Sequence, residues 1–208
     1  NDLLEAMNKI SEEEIDQLLG LILDFLKAYD KERDRNILSL AEKLIDILGK
    51  YSSNLFTLNT FYMANKKIVG GSSLPEDAEE FLVRFWNCVS NNVVQWNELK
   101  KKEISKVDLR ENYIITQGVV IQAFGLIGAY FYKDNQKQME KYLARLQAID
   151  WKRSSSQWRL RVIRADGKII TSNKAVNLTA IQIKKEIGLQ LSAEEKEKEQ
   201  KFLDTINV

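Results

Sequence analysis

A single proline, Pro75, in 208 residues leaves long stretches of this chain with nothing to interrupt a helix. Proline removes an amide donor and clashes with the preceding turn, so its near absence favours continuous helices. The apolar spacing uses that freedom. Ser11-Glu12-Glu13-Glu14 has capping-box spacing, and Ile15, Leu18, Leu19, Ile22, Leu23 and Leu26 follow at helical intervals. A second helix is expected over residues 34–48, with Ile37, Leu40, Leu44, Ile47 and Leu48 on one face and Gly49 stopping it. A third covers residues 55–69, closed by Gly70-Gly71, and a fourth starts at Ser73-Leu74-Pro75-Glu76 and runs through Phe81, Phe85 and Trp86. A long central helix is expected from Ser105 or Asp108 to about Lys133. Gly118, Gly125 and Gly128 on it would either admit another helix closely or reflect ordinary tight packing. Asp134 or Asn135 opens a further helix carrying Met139, Tyr142, Leu143 and Leu146.

Then the period changes. Trp158, Leu160 and Val162 alternate with Arg159, Arg161 and Ile163, and Ala165-Asp166-Gly167-Lys168 leads into Ile169-Ile170-Thr171. Asp-Gly between two such segments is a hairpin signal. Asn177 is expected to cap a helix through Ile181, Ile183 and Ile187 that ends at Gly188, and Ser192-Ala193-Glu194-Glu195 starts a final, solvent-facing charged helix. The expected fold is mainly α, a multi-helix bundle with a small β-hairpin near residues 158–171. Its segments are an acidic helical 1–50, a helical core 51–148, and a basic hairpin-and-helix region 149–208, together one compact domain.

Composition narrows the chemistry. Hydrophobic and charged fractions of 44% and 29% are those of a soluble globular protein. The longest apolar run, residues 114–131, is broken by Thr116, Gln117 and Gln122, which indicates a buried helix rather than a membrane span. One cysteine, Cys88, permits no internal disulfide, and no secretory signal is visible, so the expected location is cytoplasmic. The sequence starts at Asn1 without an initiator methionine, as a processed chain or a part of a longer one would. The absence of histidine removes the commonest metal ligand, the usual general base, and any Ser-His or Cys-His nucleophile. Cys88, beside Trp86 and Val89, reads as a buried thiol. Glu12 to Glu14 are explained by a helix start and the acids of residues 194–199 by a solvated helix. No Gly-x-x-x-x-Gly-Lys-Ser/Thr phosphate loop occurs. No catalytic residue, metal site or cofactor is therefore expected.

Charge is the strongest functional signal. The net charge is only +1, yet residues 141–185 hold eleven bases against Asp150 and Asp166: Lys141, Arg145, Lys152, Arg153, Arg159, Arg161, Arg164, Lys168, Lys174, Lys184 and Lys185. Clustered cations create a potential that attracts a polyanion, and Trp151 and Trp158, seven residues apart among them, add surface on which bases can stack. The competing explanation is a solvated basic face paired with the acidic N-terminal segment, where residues 1–30 hold eight acids and two bases. Likewise, tryptophan more often anchors a core or a loop than it stacks on a base, which favours a structural role for Trp151 and Trp158, and Trp86 and Trp96 read as core or interface residues of the helical part.

Several stretches carry a family resemblance. They are Leu55-Phe56-Thr57-Leu58 with Phe61-Tyr62 and Ala64; Phe85-Trp86 with Val89 and Trp96; Leu109-Arg110 with Tyr113-Ile114 and Gly118; and Gln122-Ala123-Phe124-Gly125 with Ile127-Gly128. Further on come Ile149-Asp150-Trp151-Lys152-Arg153-Ser154, Trp158 with Arg161, and Val176-Asn177-Leu178-Thr179-Ala180. Ile183-Lys184-Lys185 with Gly188-Leu189, Leu191-Ser192 and Glu194-Glu195 completes the set. Over roughly residues 55–200 the chain resembles the DndB-type DNA sulfur-modification proteins. The resemblance implies a DNA-binding negative regulator of genes for phosphorothioate modification, in which sulfur replaces a non-bridging phosphate oxygen. Those proteins carry an Asp-Gly-Gln-His-Arg motif in an N-terminal domain. A chain without histidine lacks it, so the resemblance extends to the C-terminal, largely helical part alone, and residues 1–50 match poorly.

The expected function is duplex DNA binding at a promoter, without catalysis in this chain and without a membrane partner. Arg153, Arg159, Arg161, Arg164 and Lys168 are the first candidates for phosphate or base contacts, with Lys152, Lys184 and Lys185 as flanking backbone contacts. Charge reversal at Arg159 and Arg161 is expected to weaken binding at low salt without unfolding the protein. The alternatives are a module that docks on a second copy or on another sulfur-modification protein, and the non-catalytic part of a nucleotide hydrolase or nuclease.

Overall fold

A computed structural model describes residues 56–71 and 78–206. The two helices expected before residue 50 and the helix start at residues 73–76 lie outside the described residues. Contacts divide the chain into units Asn1–Asn59 and Thr60–Val208, and the description below concerns the second. It is mainly α-helical, as the periodicity predicts. The helices, numbered here in chain order, are α1 Leu58–Val69, α2 Ala78–Asn92, α3 Val94–Lys100, α4 Lys106–Asn112, α5 Gly118–Tyr130, α6 Met139–Leu143, α7 Asn173–Ile187 and α8 Ala193–Ile206.

The centre is α5. Val120, Ile121, Ala123, Phe124 and Ile127 are all fully buried on it, so it is apolar around its whole circumference, the signature of a helix enclosed by others. Its glycines decide how close α1 can come. A Cβ on Gly125 would lie 2.6 Å from the Ala64 carbonyl oxygen and 2.9 Å from its Cα; one on Gly128 would lie 2.8 Å from the Ile68 side chain. Thr60, Ala64 and Ile68 stand four apart on one face of α1, opposite Gly118, Gly125 and Gly128. The glycines thus serve a helix-to-helix approach at van der Waals contact. On another side α7 packs along α5, so the basic C-terminal segment shares the core of the helical one.

Aromatic rings continue this core. Phe124 meets Trp86 at 6.4 Å, Trp96 at 6.5 Å and Trp151 at 5.9 Å between centroids. The Trp86 indole N–H donates to Asn65 Oδ1 at 2.7 Å, tying α2 to α1. Trp96 is buried and Trp86 half-buried.

Four local expectations need correction. The single helix expected from residue 105 to 133 is two helices. Ser105 does cap α4, its hydroxyl accepting from the Asp108 amide at 3.0 Å. The backbone then turns extended at Tyr113, whose neighbour Ile114 donates its amide to the Trp151 carbonyl at 3.0 Å. Beyond α5 the chain continues as a wide turn over Phe131–Asn135 and a tight one over Gln136–Gln138, so α6 begins at Met139 rather than near residue 134. Ser172, not Asn177, caps α7, accepting from the Ala175 amide at 3.2 Å, and the helix starts five residues earlier than expected. Its end is as predicted: Gly188 adopts φ +78°, which only glycine tolerates cheaply, while the Leu189 and Gly188 amides close onto the Lys184 and Lys185 carbonyls. The fourth correction concerns residues 158–171. The Asp166-Gly167 turn forms, with the Arg164 amide donating to the Lys168 carbonyl at 2.8 Å, but it is flanked by single-residue bridges and no strand exists among the described residues.

Candidate nucleic-acid interface

The basic segment is organised by its two tryptophans. Trp151 and Trp158 are buried and stacked on each other, with centroids 5.4 Å apart and planes 8° from parallel. The Trp158 indole N–H donates to the Asp150 carbonyl at 2.7 Å. Neither ring is open to a base; both are the floor on which the loop is built. Residues 151–153 are stitched to the end of α4 through the Tyr113–Lys152 bridge and the Arg153 amide, which donates to the Asn112 carbonyl at 2.8 Å.

After Trp158 the chain folds back sharply. The Trp158 carbonyl accepts from the amides of Arg161, Val162 and Ile163, and the Leu160 amide donates to the Ile163 carbonyl at 2.6 Å. This knot replaces the strand that alternation suggests. Burial accordingly does not alternate: Arg159 and Leu160 are exposed, whereas Arg161, Val162 and Ile163 are buried.

The eight candidate cations separate into two groups. Lys152, Arg159, Arg164 and Lys168 are exposed and Arg153 is half-buried. Arg164 pairs at the surface with Asp166 at 3.1 Å, a contact weak enough for a ligand to displace. Arg153 reaches the Arg110 and Glu111 carbonyls at 3.5 and 3.4 Å, at the C-terminal end of α4, where the helix dipole favours a cation. Lys174, on the first turn of α7, is also exposed. Arg159, Lys168 and Lys174 have no acidic partner among the described residues.

Arg161, Lys184 and Lys185 are placed otherwise. Arg161 is 4% exposed and grips Glu199 of α8 with both terminal nitrogens, each at 2.7 Å from a carboxylate oxygen. Its guanidinium also lies 4.2 Å from the Phe202 ring centroid. Lys185 joins the same carboxylate at 2.7 Å. Lys184, 6% exposed, pairs with Glu195 at 2.6 Å and sits 5.0 Å from the Tyr130 ring centroid. The expectation that Arg161 can be reversed without unfolding is therefore corrected: a carboxylate there would face Glu199 in the interior. The final helix is corrected with it, because Glu199 and Phe202 are buried and α8 is fastened to α7 rather than merely solvated. Burial raises the Glu199 carboxyl, but hydrogen bonds from Arg161 and Lys185 outweigh this and hold it below the usual glutamate value. Glu195 is lowered in the same way by Lys184 and the Ser192 amide.

With this geometry in view, the comparison with known families is specific. The model of the family described as "DndB: DNA-sulfur modification-associated" matches residues 35–190. The chain belongs to the DndB family. No curated protein and no solved structure matches it. The matched region of this DndB protein includes α1 to α7, the tryptophan floor and the whole basic loop, and stops just before α8.

Sequence reasoning missed Glu195 and Glu199 as partners of the basic segment. Their signal was present in the capping-box spacing of Ser192 and Glu195, realised here by reciprocal bonds of 3.2 and 2.9 Å, and in the four-residue step from Glu195 to Glu199, which sets both on one helix face. Among the described residues no three metal-ligating side chains come together, and no helix is long and apolar enough to cross a membrane.

Proposed function

We propose that this DndB-family chain binds duplex DNA through the loop of residues 152–174 and acts, without catalysis, as a negative regulator of the genes for DNA phosphorothioate modification. One observation carries the reading. Among the described residues Arg159, Lys168 and Lys174 stand exposed and without an acidic partner, Arg159 and Lys168 on a backbone anchored to a buried tryptophan pair, with Lys152, Arg153 and Arg164 beside them in sequence. Such cations have no ion pair to give up on meeting a phosphate backbone, and the counterions they displace make binding weaken with salt. Arg161, Lys184 and Lys185 are engaged by Glu199 and Glu195 of α8 and are not proposed as contact residues.

The test is fluorescence anisotropy with labelled duplex taken from the promoter of the modification genes, titrated at several salt concentrations and challenged with unrelated duplex. Saturable binding that weakens steeply with salt and prefers the promoter is expected. Absence of binding at 50 mM salt would discard the reading and favour a module that docks on a second copy or on another sulfur-modification protein.

A further inference from the structure

The loop spends stability at one position where a polar residue or glycine would be easier to accommodate. Leu160 has φ +61°, the left-handed region that costs an L-residue roughly 1–2 kcal/mol and that a bulky side chain rarely enters. The residue is also 40% exposed. The conformation is imposed from outside the residue: its amide is bonded to the Ile163 carbonyl, and the three amides that follow it converge on the carbonyl of buried Trp158. Backbone strain held this firmly is a mark of function. Its neighbours are informative. Arg159 precedes it, exposed and without an acidic partner among the described residues; Arg159 bridges to Ile163, and Ile163 to Ile169, so Lys168 and the Asp166-Gly167 turn lie on the same knot.

An exposed apolar side chain on a rigid base, rimmed by arginine and lysine, is the arrangement that proteins use to pry apart a base step while the cations hold the flanking phosphates. We propose that Leu160 is a wedge that enters the duplex between adjacent bases and kinks it, so that this protein recognises DNA partly through how readily a step unstacks. The inference rests on the duplex-binding reading above. Pyrimidine–purine steps unstack most easily, and they are the steps at which the wedge acts.

The experiment uses the full chain and a short duplex carrying 2-aminopurine beside TA steps, since this base brightens when unstacked. Wild-type protein should raise its fluorescence at saturation. Leu160→Gly keeps the backbone conformation and removes the wedge; it should bind about fivefold more weakly, abolish the fluorescence rise and leave the salt dependence unchanged, without lowering the thermal midpoint, since glycine relieves the backbone strain. Leu160→Met should retain the rise. Wild-type binding without any rise, or a rise that persists in Leu160→Gly, overturns the wedge while leaving duplex binding intact. Failure of the wild-type protein to bind the duplex at any salt concentration overturns both.

Discussion

Arg161 and Arg159 stand two residues apart with the same side chain, yet their replacement should have opposite consequences. Arg161→Met keeps the length and apolar stem and removes the charge. It takes away two hydrogen bonds of 2.7 Å from a carboxylate whose side chain is 8% exposed, while the Arg161 side chain itself is 5% exposed. Breaking one partner of a buried pair costs about 3–5 kcal/mol, mainly because a desolvated charge is left behind. Lys185 remains on Glu199 at 2.7 Å, which points to the lower end, about 3 kcal/mol. That corresponds to a fall in thermal midpoint of roughly 6–12 °C for a domain of this size. Arg159→Met, at an exposed site without an acidic partner among the described residues, should move the midpoint by less than about 2 °C. The pH dependence gives an internal control. The Glu199 carboxyl is held below its ordinary value, so its ion pair contributes fully above the unfolded-state value near 4.3 and is lost as pH falls through the lower folded-state value. The gap between wild type and Arg161→Met should therefore close as the pH drops below about 4. Differential scanning fluorimetry from pH 3 to 8 reads both effects. A midpoint for Arg161→Met within a degree or two of wild type at pH 7 would refute the assignment of Arg161 to the interior.

Gly125→Ala should destabilise by about 1–3 kcal/mol in urea unfolding, since its new Cβ meets the Ala64 backbone; a neutral result would mean that α1 does not pack there. Ser172→Ala should cost about 1 kcal/mol through loss of the α7 cap, with Asn177→Ala much milder. Cys88 is half-buried, and burial together with Glu140 raises its thiol above the ordinary value against the opposing effects of Asn92 and Arg84. It should react with iodoacetamide at pH 8 more slowly in the native protein than in urea, because less of it is thiolate.

Much of the fold was legible because helical periodicity is a local signal. Residues 58–69, 78–92 and 118–130 carry apolar faces dense enough to fix their state without reference to neighbours. What escaped was set by partners distant in sequence. The break at Tyr113 follows from bonds to Trp151 and Lys152, some forty residues away, and nothing in Tyr113-Ile114-Ile115 marks it. The alternation over residues 158–163 imitates a strand because Arg161 looks polar and hence outward. Its inward position depends on Glu199, 38 residues later. For the same reason the charge count was right about where cations cluster but silent on which of them are engaged. Three of the eight candidate cations are occupied by acids from α8. The remaining ones on the loop are those for which no acid among the described residues competes, apart from Asp166 at Arg164.

The most direct measurement of the central claim compares the salt dependence of duplex binding for wild type and for the neutral variant Arg159→Gln/Lys168→Gln/Lys174→Gln. If these cations contact phosphates, the slope of log K against log salt should become shallower by about 2.7, at about 0.9 per lost contact, with the thermal midpoint unchanged. An identical slope in the folded variant would contradict the claim and move the DNA surface away from this loop.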